Sequence, residues 1–468
     1  MPFKSAFALN FAGFVVIFIL AQSYLLLNAG ADQNDHVVSI LLSGLMCVVV
    51  AAQPLATPGL LAPPRLLALL VFAFFPLFAL FYLYFPELGK WYLQYFPSIG
   101  FSRTVAIATA ATVAALPLFL TGYLLGEGSV RATGTPAPLP FRPTRTGIFL
   151  LLLAAGTGFL GMVFYARSLG GIAAVMAQMD SMVNRRVWRE VANESYYLGM
   201  FLMTVPAILA LLPIYRRRGL TLIVAGGALL LLSAGFLVVT QASREKAIYP
   251  IIQFIFTLVI LARGQSLASR RWLPKALITG AVVLLVATFS VQTVFRGGGA
   301  EAGVGLLHGL RDFNRIDVSM VMFHDFLDPA SGNTLLWGVP IFDYPNQFLV
   351  RLFDFAPVSN TSEVLQQFIF SGDPNAGNPG APLAGELYVN FGLFGYLAFP
   401  LFGYLFGRAH GRLRASDYAF WPAVFYAAAL YFFMFKLFIY TGLSESVLMI
   451  MLVFLPLWLW KTLLRVRL

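Results

Sequence analysis

The chain has 468 residues, 59% of them hydrophobic and 11% charged, with a formal net charge of +11. Soluble domains carry roughly 25% charged residues, so this composition excludes an ordinary soluble enzyme and points to a membrane protein. So basic a balance would suggest nucleic acid in a soluble protein; here the excess belongs first to cytoplasmic loops, and no nucleic-acid partner is expected.

Apolar runs of about twenty residues recur from end to end. They predict helices near 7–27, 37–57, 66–84, 104–125, 147–166, 197–214, 220–241, 247–262, 276–294, 388–407, 419–438 and 446–460. The expected fold is an all-α polytopic membrane protein of about twelve transmembrane helices, one integral domain over 1–468 in contact with the lipid bilayer. The first run is longer than a signal-peptide core and lacks a small-residue cleavage site before NAGADQNDH, so it is expected to remain as an anchor. The single cysteine, Cys47, lies in an apolar run and can form no intrachain disulfide.

With a cytoplasmic N terminus, eighteen of the 31 Lys and Arg residues fall on inside segments, together with only two of the 20 acids, Glu127 and Asp417. This register obeys the positive-inside rule and puts both termini in the cytoplasm. Among the outer connections one stands apart: about ninety residues, 295–387, separate the ninth and tenth helices, a length that is rare in a loop without a function.

The outer face still keeps thirteen basic residues, many of them clustered. Arg167, Arg185, Arg186 and Arg189 share one medium loop. Arg244 and Lys246 sit in a polar SREK interruption between two apolar runs, and Arg296, Arg311, Arg315 and Arg351 belong to the large loop. A guanidinium fork binds phosphate oxygens in pairs and stays charged, so such a set suits a lipid pyrophosphate, although pairing with neighbouring acids or head groups explains several of them equally well. Candidates for proton transfer are few: His324 in VSMVMFHDFLD, a stretch read as an amphipathic re-entrant or interfacial helix, Asp317 in DFNRID (312–317), and Glu386 in GELYVNFG where the loop re-enters the membrane. SGDPNAGNPGAP (371–382) is too rich in Gly, Pro and Asn for a helix or strand, and interleaved aromatics such as Tyr344 and Tyr388 either stack on sugars or wedge the loop into the interface. There is no phosphate-binding GxxxxGK[ST], no HExxH, no CxxC and no GxSxG with partners, so no metal site and no cofactor are expected.

The SREK segment, the loop with DFNRID, the LGG at 169–171 and GNPGAPLAGELYVNFGLFGYLAFPLFGYLFGR (377–408) together resemble bacterial oligosaccharide repeat-unit polymerases of the Wzy type, over roughly 147–410. The resemblance implies a C-type-like glycosyltransferase of the bacterial inner membrane with a periplasmic active site. It would join undecaprenyl-diphosphate-linked oligosaccharides into surface polysaccharide, with a polysaccharide co-polymerase, a chain-length regulator, as partner. By motif position it makes Arg244 and Arg315 pyrophosphate contacts and 385–390, with Tyr388 and Asn390, the wall of a glycan site that Tyr344 would extend; Arg167, Arg185, Arg186, Arg296, Arg311 and Arg351 follow by charge and side alone. The base stays open among Glu386, His324 and Asp317. An O-antigen ligase-like transferase and a lipid-linked oligosaccharide flippase are the alternatives.

Overall fold

The computed structural model describes residues 2–28, 32–53, 62–85, 92–96, 100–130, 144–171, 244–261, 315–342, 359–370, 380–432 and 453–463, with Ala174, Ile208, Phe438 and Leu443 singly. The predicted helices near 197–214, 220–241 and 276–294, and the loop parts 295–314, 343–358 and 371–379, lie outside them.

Most of the described residues are helical, and there is no strand among them. In chain order they form α1 (Pro2–Leu27), α2 (Gln33–Ala51), α3 (Pro63–Phe74), α4 (Pro76–Tyr84), the single turn α5 (Tyr92–Tyr95), α6 (Phe101–Ser129) and α7 (Arg145–Ser168). After them come α8 (Arg244–Leu261), α9 (Ile316–Met320) with a π-helical turn at Val321–Asp325, and α10 (Thr361–Phe370). The last are α11 (Leu383–Phe391), α12 (Ala398–Ala415), α13 (Phe420–Ala429) and α14 (Leu455–Leu463). Among the described residues five segments are long and apolar enough to cross a membrane: Gln33–Ala51, Pro63–Tyr84, Phe101–Ser129, Arg145–Ser168 and Leu383–Ala415. The chain is a helical membrane protein.

Several helices start ahead of their apolar runs, and α2 stops at Ala51, short of the expected 57, because polar caps, which hydropathy cannot weigh, start and stop them. At α2 the Asp32 carboxylate accepts from the amides of Asn34 and Asp35 while Asp35 accepts from the Asp32 amide, a reciprocal capping box. The other end of α2 is closed by Arg65, whose guanidinium donates to the carbonyls of Ala51 and Gln53. At α7 the Thr144 hydroxyl accepts from Gly147, and LGG ends the helix with Gly170 and Gly171 at φ 93 and 96°. These glycines carry the amides back to the carbonyls of Arg167 and Ala166, so this stretch of the family-like pattern has a local helix-stopping purpose. Pro76 divides the third run, since proline lacks the amide that would continue α3.

The centre of the packing is α6, which touches α2, α3, α4, α9, α11 and α12. Among the described helices its contact with α12 is the closest. A Cβ on Gly122 would fall 1.9 Å from the Pro400 carbonyl oxygen, and one on Gly126 would fall 2.1 Å from that of Tyr404. Reciprocally, a Cβ on Gly403 or Gly407 would fall 2.0 or 2.1 Å from the oxygens of Phe119 and Tyr123. Two GxxxG stripes therefore face each other backbone to backbone, the arrangement that lets helices associate in lipid, where apolar burial gives little drive. Because 122 and 126 meet 400 and 404 in the same order, the two helices run parallel. Their shared end is locked by a 2.8 Å bond between Arg414 and Glu127, and by Tyr123 hydrogen-bonded to the buried His410 ring, which stacks on Tyr426.

A Leu at position 403 would have to displace a backbone carbonyl, which no rotamer relieves. Gly403→Leu is expected to cost at least the ~1–3 kcal/mol of core overpacking and to lower the melting temperature in detergent. Gly128→Ala, whose Cβ meets nothing within 4 Å, is the control that should melt like the wild type.

Candidate functional site

The segment read as the re-entry of the large loop is α11, which starts at Leu383, a turn before Glu386, rather than after it. Glu386 and Asn390 are one helical turn apart and therefore on one face, and both are fully buried. Glu386 Oε1 accepts from the Thr361 hydroxyl at 2.9 Å, and Oε2 accepts from the Leu443 amide. Asn390 Nδ2 donates to the Glu386 carbonyl at 2.8 Å and its Oδ1 accepts from the Gly338 amide at 3.1 Å. Backbone bonds from Leu336 to Val389 and from Trp337 to Asn390 fasten the 336–338 turn to the end of α11. The pair thus ties α10, the 336–338 turn and residue 443 together. Buried polar groups whose acceptors are filled by the protein's own donors hold structure first.

α11 approaches the π-helical turn through Gly385, where a Cβ would lie 2.6 Å from the Met322 sulfur, and through Tyr388, whose ring meets Phe323 at 5.1 Å. The stretch leading into that turn differs from the amphipathic helix expected of it: Ile316 to Met322 are buried on every side, Asp317 included, between α6 and α11. The turn is an i→i+5 insertion, with the Phe326 amide donating to Val321 at 2.8 Å. Such bulges change where the following side chains emerge and are frequent at functional sites. Here they bring out His324 and Asp325.

His324 Nδ1 lies 2.9 Å from Asp325 Oδ1, with 39% of the histidine side chain and 17% of the aspartate exposed. The other carboxylate oxygen, Oδ2, accepts from the Tyr92 hydroxyl at 2.7 Å. The hydrogen bond to Asp325 raises the His324 pKa above its ordinary 6.5, against partial burial, which lowers it. Burial, and then the charge of Asp325, push the Tyr92 phenol well above its usual range, so it stays a donor. With the Asp325 oxygen accepting, Nδ1 carries the proton, and in the neutral ring the Nε2 lone pair is left for an incoming hydroxyl.

The arginines separate. Arg315, just ahead of α9, is buried within a few residues of Asp317 and of the π turn. Arg244 opens α8, so the SREK charges form a first helical turn rather than a connection. Arg167 is exposed in the last turn of α7, where a cation complements the helix dipole without a ligand. Arg185, Arg186, Arg296, Arg311, Arg351 and Tyr344 lie outside the described residues. Tyr92 and Thr361 were not anticipated. Thr361 had a signal: Asn360 and Glu363 form a capping box at the start of α10, with Glu363 N to Asn360 Oδ1 at 2.9 Å, so NTSE marks a helix start. Tyr92 had none, since its partner lies far along the chain. Among the described residues no group of three His, Cys, Asp or Glu side chains is arranged to hold a metal. No family model, characterised protein or solved structure matches the chain.

Glu386→Gln retains size but offers one acceptor where two donors converge, leaving an amide N–H against a donor. It is expected to lose about 1–3 kcal/mol of stability, read as a lower melting temperature in detergent; unchanged melting with lost activity would instead make the carboxylate a chemical group. For His324, a folded pKa above the unfolded one means that its stabilising contribution is complete below pH 6.5 and disappears as pH rises through the folded value. Asp325→Asn should move the histidine ring titration, followed by NMR, to lower pH.

Proposed function

We propose that the chain is an inner-membrane glycosyltransferase that polymerises undecaprenyl-diphosphate-linked oligosaccharides on the periplasmic face. The observation that carries this reading is the contrast among the three carboxylate and imidazole candidates. Asp317 and Glu386 are fully buried, whereas His324 is exposed, oriented by Asp325 and next to the segment that the family-like motif marks. His324 is accordingly the base, and Asp325 with Tyr92 are its positioning residues.

In the proposed step, Nε2 of His324 takes the proton of an acceptor sugar hydroxyl as that oxygen attacks the anomeric carbon of the donor. The new C–O bond forms while the bond to the carrier diphosphate breaks, and the diphosphate leaves with the electron pair. Arg315 and Arg244 supply the positive charge that stabilises it, which is electrostatic catalysis without a metal. Tyr388 frames the glycan from α11, and the fully buried Asn390 holds that wall from behind.

The wider topology belongs to the same reading: about twelve spans, both termini cytoplasmic, and a chain-length regulator as partner. Parallel α6 and α12 support it, because helices crossing in the same sense have an odd number of crossings between them. The five apolar runs between 125 and 388 have that parity. Glu127 and Arg414, bonded at one end, are both on the side read as cytoplasmic.

Deleting the gene and resolving the surface polysaccharide by size should leave single-repeat product in place of polymer. Intact polymer retained on its lipid carrier would indicate a ligase, and loss of all translocated material a flippase; either result overturns the proposal. In a deleted strain, His324→Ala is expected to restore polymerisation about 10²–10⁴-fold less well than the wild type at equal membrane abundance.

A further inference from the structure

Arg103 lies in the first turn of α6, three residues after Gly100, where a cation opposes the helix dipole. A cation there is mildly unfavourable, and an anion beside it would offset this, as the carboxylates do at the neighbouring helix. At α2 the first-turn amides are filled by Asp32 and Asp35. At α6 the N-cap is Gly100, at φ 79°, and no side chain caps the turn.

A second observation is independent of the helix end. His36 is 6% exposed, its Nδ1 is seated 2.9 Å from the Ser102 hydroxyl in that same first turn, and its Nε2 is buried with no hydrogen-bond partner. A buried ring nitrogen without a partner carries an uncompensated desolvation cost, which a bound acceptor or donor would recover. Arg103 itself is exposed and donates through Nε to the Leu26 carbonyl at 3.1 Å, and among the described residues the two terminal nitrogens of its fork have no acceptor. Its charge acts on His36 and also on His324, so this helix end borders the His324–Asp325–Tyr92 cluster. Tyr92 packs on Phe101, the first residue of α6, at 6.5 Å.

We infer that the N terminus of α6, with Arg103, Ser102 and His36, is a binding site for a phosphate-bearing head group. Helix-end amides, a guanidinium fork and a hydroxyl are the donors that phosphate oxygens take. The opposing carboxylates are engaged: Asp32 and Asp35 with the α2 amides, and Asp325 with His324 and Tyr92. That the phosphate is the diphosphate of the lipid-linked substrate, delivered beside His324, rests on the transfer reading above.

The test uses the full chain in phosphatidylcholine nanodiscs, titrated with inorganic pyrophosphate and followed by calorimetry. The wild type should bind, Arg103→Gln should weaken binding roughly tenfold or more, and His324→Ala should leave it unchanged. Should Arg103→Gln fail to fold, Arg103→Lys, which keeps the charge and loses the fork, is read in its place and should bind less tightly than the wild type. Competition names the source: displacement by undecaprenyl diphosphate but not by phosphatidylglycerol assigns the site to the substrate, and equal displacement by both assigns it to bilayer head groups. No binding by the wild type, or equal binding by wild type and the Arg103 variant, overturns the site. Arg103-dependent binding in a protein whose deletion leaves polysaccharide length unaltered would keep the site and remove the transfer reading, and the converse pattern would do the reverse.

Discussion

The backbone contact between α6 and α12 sets the register of the rest. Four glycines bring carbonyl oxygens of each helix to where the other's side chains would be, so neither helix can slide by a fraction of a turn without collision. The N-terminal end of α6 bears Phe101, Ser102 and Arg103, while α12 is joined to α11 through Gly392–Leu397. Fixing one helix against the other therefore fixes Glu386 and Asn390 relative to the α6 end. A single side-chain bond repeats the constraint midway, where the Tyr396 hydroxyl donates to the Ala111 carbonyl at 2.8 Å.

Around that frame the polar groups divide by what they can reach. In α6 the hydroxyls of Thr104, Thr109, Thr112 and Thr121 return to carbonyls four residues back, which satisfies them inside an apolar helix at no cost to its neighbours. Gln22 bridges α1 and α2 through the Ser39 carbonyl and the Ser43 hydroxyl, and Glu386 with Asn390 does the same for α10 and α11. Each such group is expensive to bury and is therefore placed where the protein supplies its partners. His324 and Arg103 are the contrary case, exposed and held by few bonds. A group meant for a ligand must keep some bonding capacity unfilled, and these two do.

Hydropathy made the membrane helices legible because apolar length is a local property. Helix ends were less legible, since Asp32, Thr144 and Arg65 act through hydrogen bonds that a hydrophobic count ignores. The spacing GYLLG at 122–126 and GYLFG at 403–407 is visible in the sequence. Its partnership is not, because each stripe lacks meaning until the other is known to face it. Glu386 illustrates the limit most sharply. Its depth in the chain announces an important carboxylate, but its task depends on Thr361 and Leu443, which no spacing connects to it. Arg103 was overlooked for the opposite reason: it stands at the rim of an apolar run, where a lone basic residue reads as an interfacial anchor.

The break between α11 and α12 explains how one apolar span can serve both packing and a site. Gly392, at φ 59° and ψ −145°, adopts a conformation closed to other residues, and the chain then folds so that Gly395 lies against the Leu387 carbonyl. An unbroken helix would carry α11 straight on from α12 and turn its polar face with the heptad of the bundle. The break frees that face to be set by its own contacts, with Glu386 and Asn390 turned to α10 and the 336–338 turn. Meanwhile Leu393 and Phe394, 79% and 80% exposed, form the outer surface of the interruption. Non-helical backbone at membrane depth survives only where protein or a solvated site satisfies it. In this chain the 3₁₀ turn keeps its hydrogen bonds internal and turns Leu393 and Phe394 outward, so the span is interrupted without opening its backbone to the bilayer.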